Sequence, residues 1–434
     1  MRILSSEVKD HIGQTIRIEG WLHKKRLLGG LTFINVRDRH GLTQVVIQDK
    51  TEVEKLRGLQ IGTVLAIEGM VKGELRAPGG AELHEAKIDV LVPVTEEPPV
   101  EIDKPLSHKP ENLDTLFDHR ALGLRNLQEA KIFKIRSDLL RYIRDFLYDQ
   151  DFVEINTPKL VAGAAEGGAE VFKLDYFGKE ATLAQSPQLY KQIMVGVFER
   201  VFEIAPAFRA ELSATTRHVS EVTMLDVEMG FIENHGDILN FLQDLVYSVL
   251  TRTYNEHAAD LKSLNAPELV LKPQFPRYTM KQIHELYQQD TGKDTSKEID
   301  LTPEEEKWIC EYAKKNDGSE AVFATGLPAS KMKFYHMKGE DDTARSADLL
   351  FRGIEISTVP QREHRHENLV EQMKAAGVDP DASGFAPYVS AFKHGLPPHA
   401  GFGFGIDRLT EKVIGLGNVK EAILFPRDIN RLAP

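Results

Sequence analysis

Five times between residues 15 and 95 the chain passes through a short stretch of alternating or clustered apolar and β-branched residues. They read TIRIEGWLH, LTFINVRD, LTQVVIQD, TVLAIEGMV and AKIDVLVPV. LGG, RHG and APGG mark turns between them. Five strands in so short a span predict a small barrel over residues 1–95. Residues 96–127 follow, opening on the Pro-rich, charged EEPPVEIDKPLSHKPENL, and read as a linker or hinge. From 128 the period changes. Ile132, Ile135, Leu139, Tyr142, Ile143, Phe146 and Leu147 recur at helical spacing, and DFVEINTPKL then reads as a strand ending at Pro158. A second amphipathic helix is expected over 236–254. Residues 255–325 are polar and helix-leaning, with a capping-box start at TPEEEKW, and read as an insertion rather than a catalytic segment. The whole predicts a five-stranded barrel followed by a large α+β domain over 128–434.

The five-stranded Greek-key oligonucleotide-binding (OB) barrel fits the strand count. The net charge of −12 over 434 residues argues by itself against a nucleic-acid partner, but a global sum permits a local basic stripe. HKKR at 23–26 is such a stripe, or simply a solvated turn. A single cysteine, Cys310, excludes an internal disulfide and a Cys-rich metal site. No apolar run is long enough to span a bilayer, and MRILSSEVKDHIGQ has charges where a signal peptide needs an apolar stretch. A cytoplasmic protein with no membrane partner is the expectation.

Three stretches carry chemistry. RVFEIAPAFRAELSATTRHVSEVTMLDVEMGF (200–231) reads as two strands joined by a polar loop, with Arg209 and Glu211 on one face of the first and Arg217 and His218 in the loop. This arrangement suits a triphosphate, and suits surface salt bridges equally well. ADLLFRGIEISTVPQREHRH (347–366) offers Asp348, Glu355 and Thr358 as hard oxygen ligands for Mg²⁺, or as ordinary exposed groups. His364 and His366 lack a third ligand for zinc. GFGFGIDRL (401–409) is by itself a tight strand or turn. Beside the other two, its glycines admit a flat ring and Arg408 grips phosphate or purine. Three dispersed arginines and two acidic candidates together describe an ATP site without a phosphate loop.

Over nearly its whole length the chain resembles the class II aminoacyl-tRNA synthetases. The long helix with the strand ending at Pro158 matches the first class motif, FRAE…TTRH the second and GFGFGIDR the third. Barrel-first order resembles the aspartate–asparagine–lysine subgroup. QSPQLYKQ, FRAE, RGIEIS, QREHRH and ILFPRD are most similar to aspartyl enzymes of the archaeal and eukaryotic type.

The resemblance implies an antiparallel-sheet catalytic domain with flanking helices, a homodimer formed through the first motif, and L-aspartate, ATP, Mg²⁺ and tRNA(Asp) as reactants. Arg209 would contact the α-phosphate and substrate carboxyl group. Ala210, Glu211, Arg217, His218, Val219, Glu355, Gly405, Ile406, Asp407 and Arg408 would hold ATP, with Phe or backbone surfaces flanking adenine; Arg209 and Arg408 would be catalytic. Asp348, Glu355 and Thr358 would bind Mg²⁺, Thr358 replacing the usual serine. Lys191 and Arg362 would pair with the aspartate side chain, Gln188 nearby, while Asp226 and Glu166 would support its ammonium group. Arg209 and Thr358 would complete the aspartate contacts.

In the barrel, Phe33 would stack on a base and Gln44 and Glu82 would read base edges, with HKKR as a backbone-contacting turn; Phe33 is equally readable as a core residue. His23 and Pro78 match the residue types of enzymes that also charge tRNA(Asn). Asparaginyl enzymes lack the lysine of QLYKQ. An asparaginyl-tRNA synthetase, a synthetase-like amide-forming enzyme such as an asparagine synthetase, and a non-catalytic nucleic-acid-binding protein are the competing readings.

Overall fold

All five expected barrel strands form: β1 (Thr15–Leu28), β2 (Leu31–Arg37), β3 (Leu42–Ile47), then helix α1 (Lys50–Arg57), β4 (Val64–Gly73) and β5 (Ala81–Val92). They close in the order β1-β2-β3-β5-β4, antiparallel except for the β3–β5 pair. The computed structural model describes residues 1–28, 31–106, 110–162, 171–213 and 215–434. Period-two alternation fills the barrel with Ile16, Ile18, Leu22, Ile34, Val36, Val45, Leu65, Ile67 and Leu83. β1 carries a bulge at His23, where pairing steps from Leu22–Val36 to Lys24–Asn35.

HKKR is therefore strand, not turn. Lys25 is already committed, because its Nζ donates to the carbonyls of Leu56, Arg57 and Leu59 at the end of α1. A cation suits that helix end, where carbonyls lack intrahelical partners.

The chain divides into two compact units, residues 1–130 with Pro434, and 131–433. The segment read as a linker belongs to the first. It carries α2 (Pro110–Asp118) and α3 (Arg120–Gly123), and buries Val100 and Ile102. Asn126 Nδ2 donates to Lys104 O at 2.5 Å, and the buried Arg120–Glu129 pair closes at 2.9 Å. Proline and charge in the sequence obscured these few fixed contacts.

Helix α4 (Leu127–Asp149) leads into the second unit, followed by β6 (Val153–Glu154), β7 (Leu160–Val161), β8 (Lys173–Tyr176), β9 (Lys179–Leu183), α5 (Gln188–Phe198), β10 (Arg200–Phe208) and β11 (Glu221–Gly230). Next come α6 (His235–Glu256), α7 (Ala258–Ser263), β12 (Arg277–Thr279), α8 (Met280–Thr291), α9 (Pro303–Asn316), β13 (Ala321–Thr325), β14 (Ser346–Phe351) and β15 (Ile354–Pro360). α10 (His366–Ala375), α11 (Ala386–Phe392), β16 (His399–Gly405) and α12 (Ile406–Ile414) complete it. Eight strands form one sheet in the order β12-β13-β14-β15-β16-β11-β10-β6, antiparallel save for the outermost pairs; β7, β9 and β8 make a small second sheet. The apolar stripes of α4 and α6 cover one face of the large sheet and bury Phe202, Leu225, Val227, Leu349, Phe402 and Phe404. Among the described residues no helix is long and apolar enough to cross a membrane.

Two expectations change. DFVEINTPKL pairs in the large sheet only through Val153 and Glu154, and Leu160 belongs to the small sheet. Residues 255–325 are no appendage: β12 and β13 extend the large sheet, and α8 and α9 pack on it through Ile283, Ile309 and Ala313.

Candidate active site

Charge collects on the opposite face of the large sheet, over β11, β15 and β16. On β11, Met224, Asp226 and Glu228 alternate with the core residues Leu225 and Val227. Directly across on β16 stand Gly405, Gly403 and Gly401. At Gly401 a Cβ would lie 2.1 Å from Val227 O and 2.2 Å from a Glu228 carboxylate oxygen, so only glycine leaves room for that acid. Gly403 and Gly405 line a cavity of about 370 Å³. The alternating Phe402 and Phe404 point into the core, so the surface available to a flat ring here is backbone and not phenylalanine.

The cavity is lined by Arg209, Glu211, Arg217, His218, Val219, Glu355 and Arg408. β10 ends at Phe208, so Arg209 and Glu211 lie just beyond the strand, with Arg209 N bonded to Ser220 O at 2.9 Å. The Arg209 side chain makes no hydrogen bond among the described residues. Arg217 Nη1 meets Glu306 Oε2 of α9 at 3.2 Å, and His218 Nδ1 meets Thr215 Oγ1 at 2.7 Å. Arg408 Nη1 donates to Glu355 O at 2.8 Å.

Ala210 and Ile406 do not line the cavity; Ile406 is core. Asp407 reaches it but is also an anchor. Arg136 of α4 donates to it at 2.8 Å and Thr223 N at 2.7 Å, which fixes the start of α12 beside Arg408. Burial raises the Asp407 carboxyl against the pull of Arg136.

Asp348 and Glu355 sit on neighbouring strands of a hairpin, and Thr358 Oγ1 donates to Glu355 at 2.8 Å. Asp348 Oδ1 is enclosed and has no hydrogen-bond partner among the described residues. Burial and then the charge of Glu355 push Asp348 well above the usual carboxylate range. Two crowded carboxylates, one with an orphaned oxygen, fit a hard divalent cation. Among the described residues no cluster of three His, Cys, Asp or Glu forms a self-contained metal cage.

Gln188, Asp226, Thr358, Arg362 and Tyr335 line it as well. Arg362 grips the buried Glu228 through Nε at 2.8 Å and Nη2 at 3.1 Å, over the Tyr335 ring. Its Nη1 makes no hydrogen bond among the described residues. Lys191 is not on the cavity wall. It lies behind it, 1 % exposed, bonded to Asp226 at 2.8 Å and Phe402 O at 2.9 Å, with Glu228 at 3.6 Å. Burial alone would raise the Glu228 carboxyl, but Arg362 and Lys191 outweigh it and hold it below the usual range. Glu166 lies outside the described residues.

Sequence reasoning missed Glu228, Glu306, Tyr335 and Arg136. Glu228 was accessible: in MLDVEMG it shares its face with Asp226 by simple alternation. Glu306 and Arg136 were not, because each reaches the site across a distant stretch of chain.

On the barrel, Phe33, Gln44 and Glu82 share the outer face of three adjacent strands. Phe33 is half-buried there while Ile34 fills the core, so the core reading of Phe33 fails on alternation. Both Glu82 oxygens are engaged, by Gln44 Nε2 at 2.6 Å and His84 Nε2 at 2.8 Å. His23 is buried at the bulge, which lowers its pKa, and Pro78 opens the tight turn between β4 and β5.

A closed five-stranded barrel and an antiparallel sheet with dispersed arginines define an aminoacyl-tRNA synthetase of class II. Residues 112–429 match the tRNA synthetases class II (D, K and N) and residues 16–91 match the OB-fold nucleic acid binding domain. The chain belongs to that class II family and is an aminoacyl-tRNA ligase. It is 43% identical to the aspartate–tRNA(Asp/Asn) ligase of Thermus thermophilus over 100% of both chains. It is 40% identical to the aspartate–tRNA(Asp) ligase of Pyrococcus horikoshii over 99% of each. Among solved structures, asparaginyl-tRNA synthetase from Pyrococcus horikoshii complexed with asparaginyl-adenylate superposes with a TM-score of 0.90 at 30% identity, covering 100% of both chains.

Proposed function

We propose that the chain activates L-aspartate with ATP to aspartyl-adenylate and transfers the aspartyl group to tRNA(Asp) and tRNA(Asn). The observation that carries the amino-acid choice is the Arg362 guanidinium on the cavity wall, whose Nη1 makes no hydrogen bond among the described residues. Lys191 and Arg362 supply two positive charges that Asp226 and Glu228 balance, and Asp226, which also lines the cavity, would face the substrate ammonium group. An anionic side chain would meet the charged Arg362 donor more strongly than the neutral amide of asparagine would. Arg362 offers Nη1 directly, and Lys191 acts from behind as charge. The relatives named as aspartate ligases support the same choice.

In the first step the aspartate α-carboxylate attacks the ATP α-phosphate in line, and pyrophosphate leaves. Arg209, whose side chain has no hydrogen-bond partner among the described residues, holds the α-phosphate and the carboxylate together. Arg217 and His218 hold the outer phosphates, and Arg408 with the Gly403–Gly405 backbone forms the purine side. Mg²⁺ bound by Asp348, Glu355 and Thr358 would neutralise phosphate charge. In the second step the terminal ribose hydroxyl of the tRNA takes the aspartyl group. Neither step needs an enzyme nucleophile; placement and charge carry the catalysis.

Phe33, Gln44 and Glu82 offer the barrel face for unstacked anticodon bases. His23 and Pro78 support acceptance of tRNA(Asn). The exposed Tyr148, Val153 and Leu160, next to the end of α4, support a homodimer through the first motif.

Pyrophosphate exchange with aspartate, asparagine and lysine tests the amino acid. Exchange with aspartate alone is expected, and exchange with asparagine alone sinks the reading. Charging of tRNA(Asp) and tRNA(Asn) transcripts under one condition tests the second partner; failure with tRNA(Asn) removes it.

A further inference from the structure

We propose that Glu306 is a positioning residue for ATP, holding Arg217 where the outer phosphates arrive. The helix α9, from the segment read as an insertion, then becomes part of the nucleotide site. This rests on the nucleotide reading above. The Arg217 side chain, 37% exposed, has one ion-pair partner among the described residues, the Glu306 carboxylate at 3.2 Å, which is itself 17% exposed. A guanidinium on a loop loses much rotamer freedom when a ligand fixes it, and a contact that fixes it beforehand removes part of that cost. The contact uses Nη1 alone, so the rest of the fork stays available to phosphate oxygens.

Glu306 is itself firmly set. Thr302 and Glu305 form a capping box at the start of α9, and Glu305 is held by His284 at 2.7 Å. Gly353, at φ +82°, lies in the turn between β14 and β15. A Cβ there would stand 3.2 Å from Lys307 Cα, so the first turn of α9 rests directly on the turn that leads to Glu355. Burial and the neighbouring Glu355 raise the Glu306 carboxyl, and Arg217 and Arg408 oppose that rise. Arg217 thus helps keep the Glu306 carboxyl charged.

Pyrophosphate exchange at varied ATP decides it. Glu306→Ala should raise KM for ATP about fivefold to tenfold and leave kcat within about twofold, the pattern of a lost pre-ordering contact. Glu306→Gln keeps an acceptor oxygen and should restore most of the affinity. In an Arg217→Ala background, Glu306→Ala should add nothing. If the alanine variant does not fold, Glu306→Asp, whose carboxylate withdraws from Arg217, replaces it with the same expectation. An unchanged KM, or an equal loss with and without Arg217, overturns the proposal. A wild-type chain that exchanges no pyrophosphate with any of the three amino acids overturns the nucleotide reading, and this inference with it.

Discussion

Arg408 and His399 stand at the two ends of β16 and answer to different physics. Arg408 follows the anchored Asp407 and bonds the Glu355 carbonyl of β15, so its guanidinium is placed before any ligand binds. Arg408→Ala should lower adenylate formation by about 10²-fold or more, the scale of losing a pre-placed charge, while tRNA binding measured by filter retention stays close to wild type. Equal loss of both would make the residue structural. His399 is buried, and its pKa falls from 6.5 to about 4, chiefly through burial. The unfolded chain binds a proton near 6.5 that the folded chain refuses until about 4. Its contribution is complete above 6.5 and is lost as pH falls toward 4. Urea unfolding should therefore show about 2 kcal/mol less stability at pH 5 than at pH 7.5 from this residue, and His399→Asn should remove that part of the slope.

At the scale of elements, α1 shows how a basic motif can be structural. Asp49 caps its first turn and Lys25 its last carbonyls. Lys25→Met should cost about 1 kcal/mol, read as an earlier unfolding midpoint of the barrel, with little change in the salt dependence of tRNA binding. A large change in that salt dependence would return Lys25 to the RNA face. Strands and long helices were legible because their periodicity is local: the five barrel strands, α4 and α6 all form close to where the pattern puts them. The destination of Lys25 was hidden, since it depends on which helix end closes against β1. Glu306 was hidden for the same reason, as α9 reaches Arg217 only after β12 and β13 have joined the sheet. Within the site, the arginines and carboxylates announced themselves by type. The position of Lys191 behind the wall did not, because it follows from the partner it finds in Asp226.

At the scale of the molecule, every residue lining the cavity lies in the second unit, and the anticodon candidates lie in the first. Activation and tRNA reading should separate. Phe33→Ala should lower aminoacylation by about tenfold, the worth of one stacked base, with pyrophosphate exchange unchanged. A parallel fall in exchange would place Phe33 in the folding of the barrel instead.

The strand order carries a consequence for biosynthesis. β16 is the last strand of the large sheet to be made, yet it lies between β15 and β11 in the middle of it. Until it emerges, the nascent chain holds two half-sheets, each with an open edge flanked by apolar residues. Insertion of one glycine-rich strand then joins the halves, lays Phe402 and Phe404 into the core and brings the residues that line the cavity together. The chain acquires its chemistry in the same event that closes its sheet, so an unfinished copy is inactive and sticky rather than partly competent.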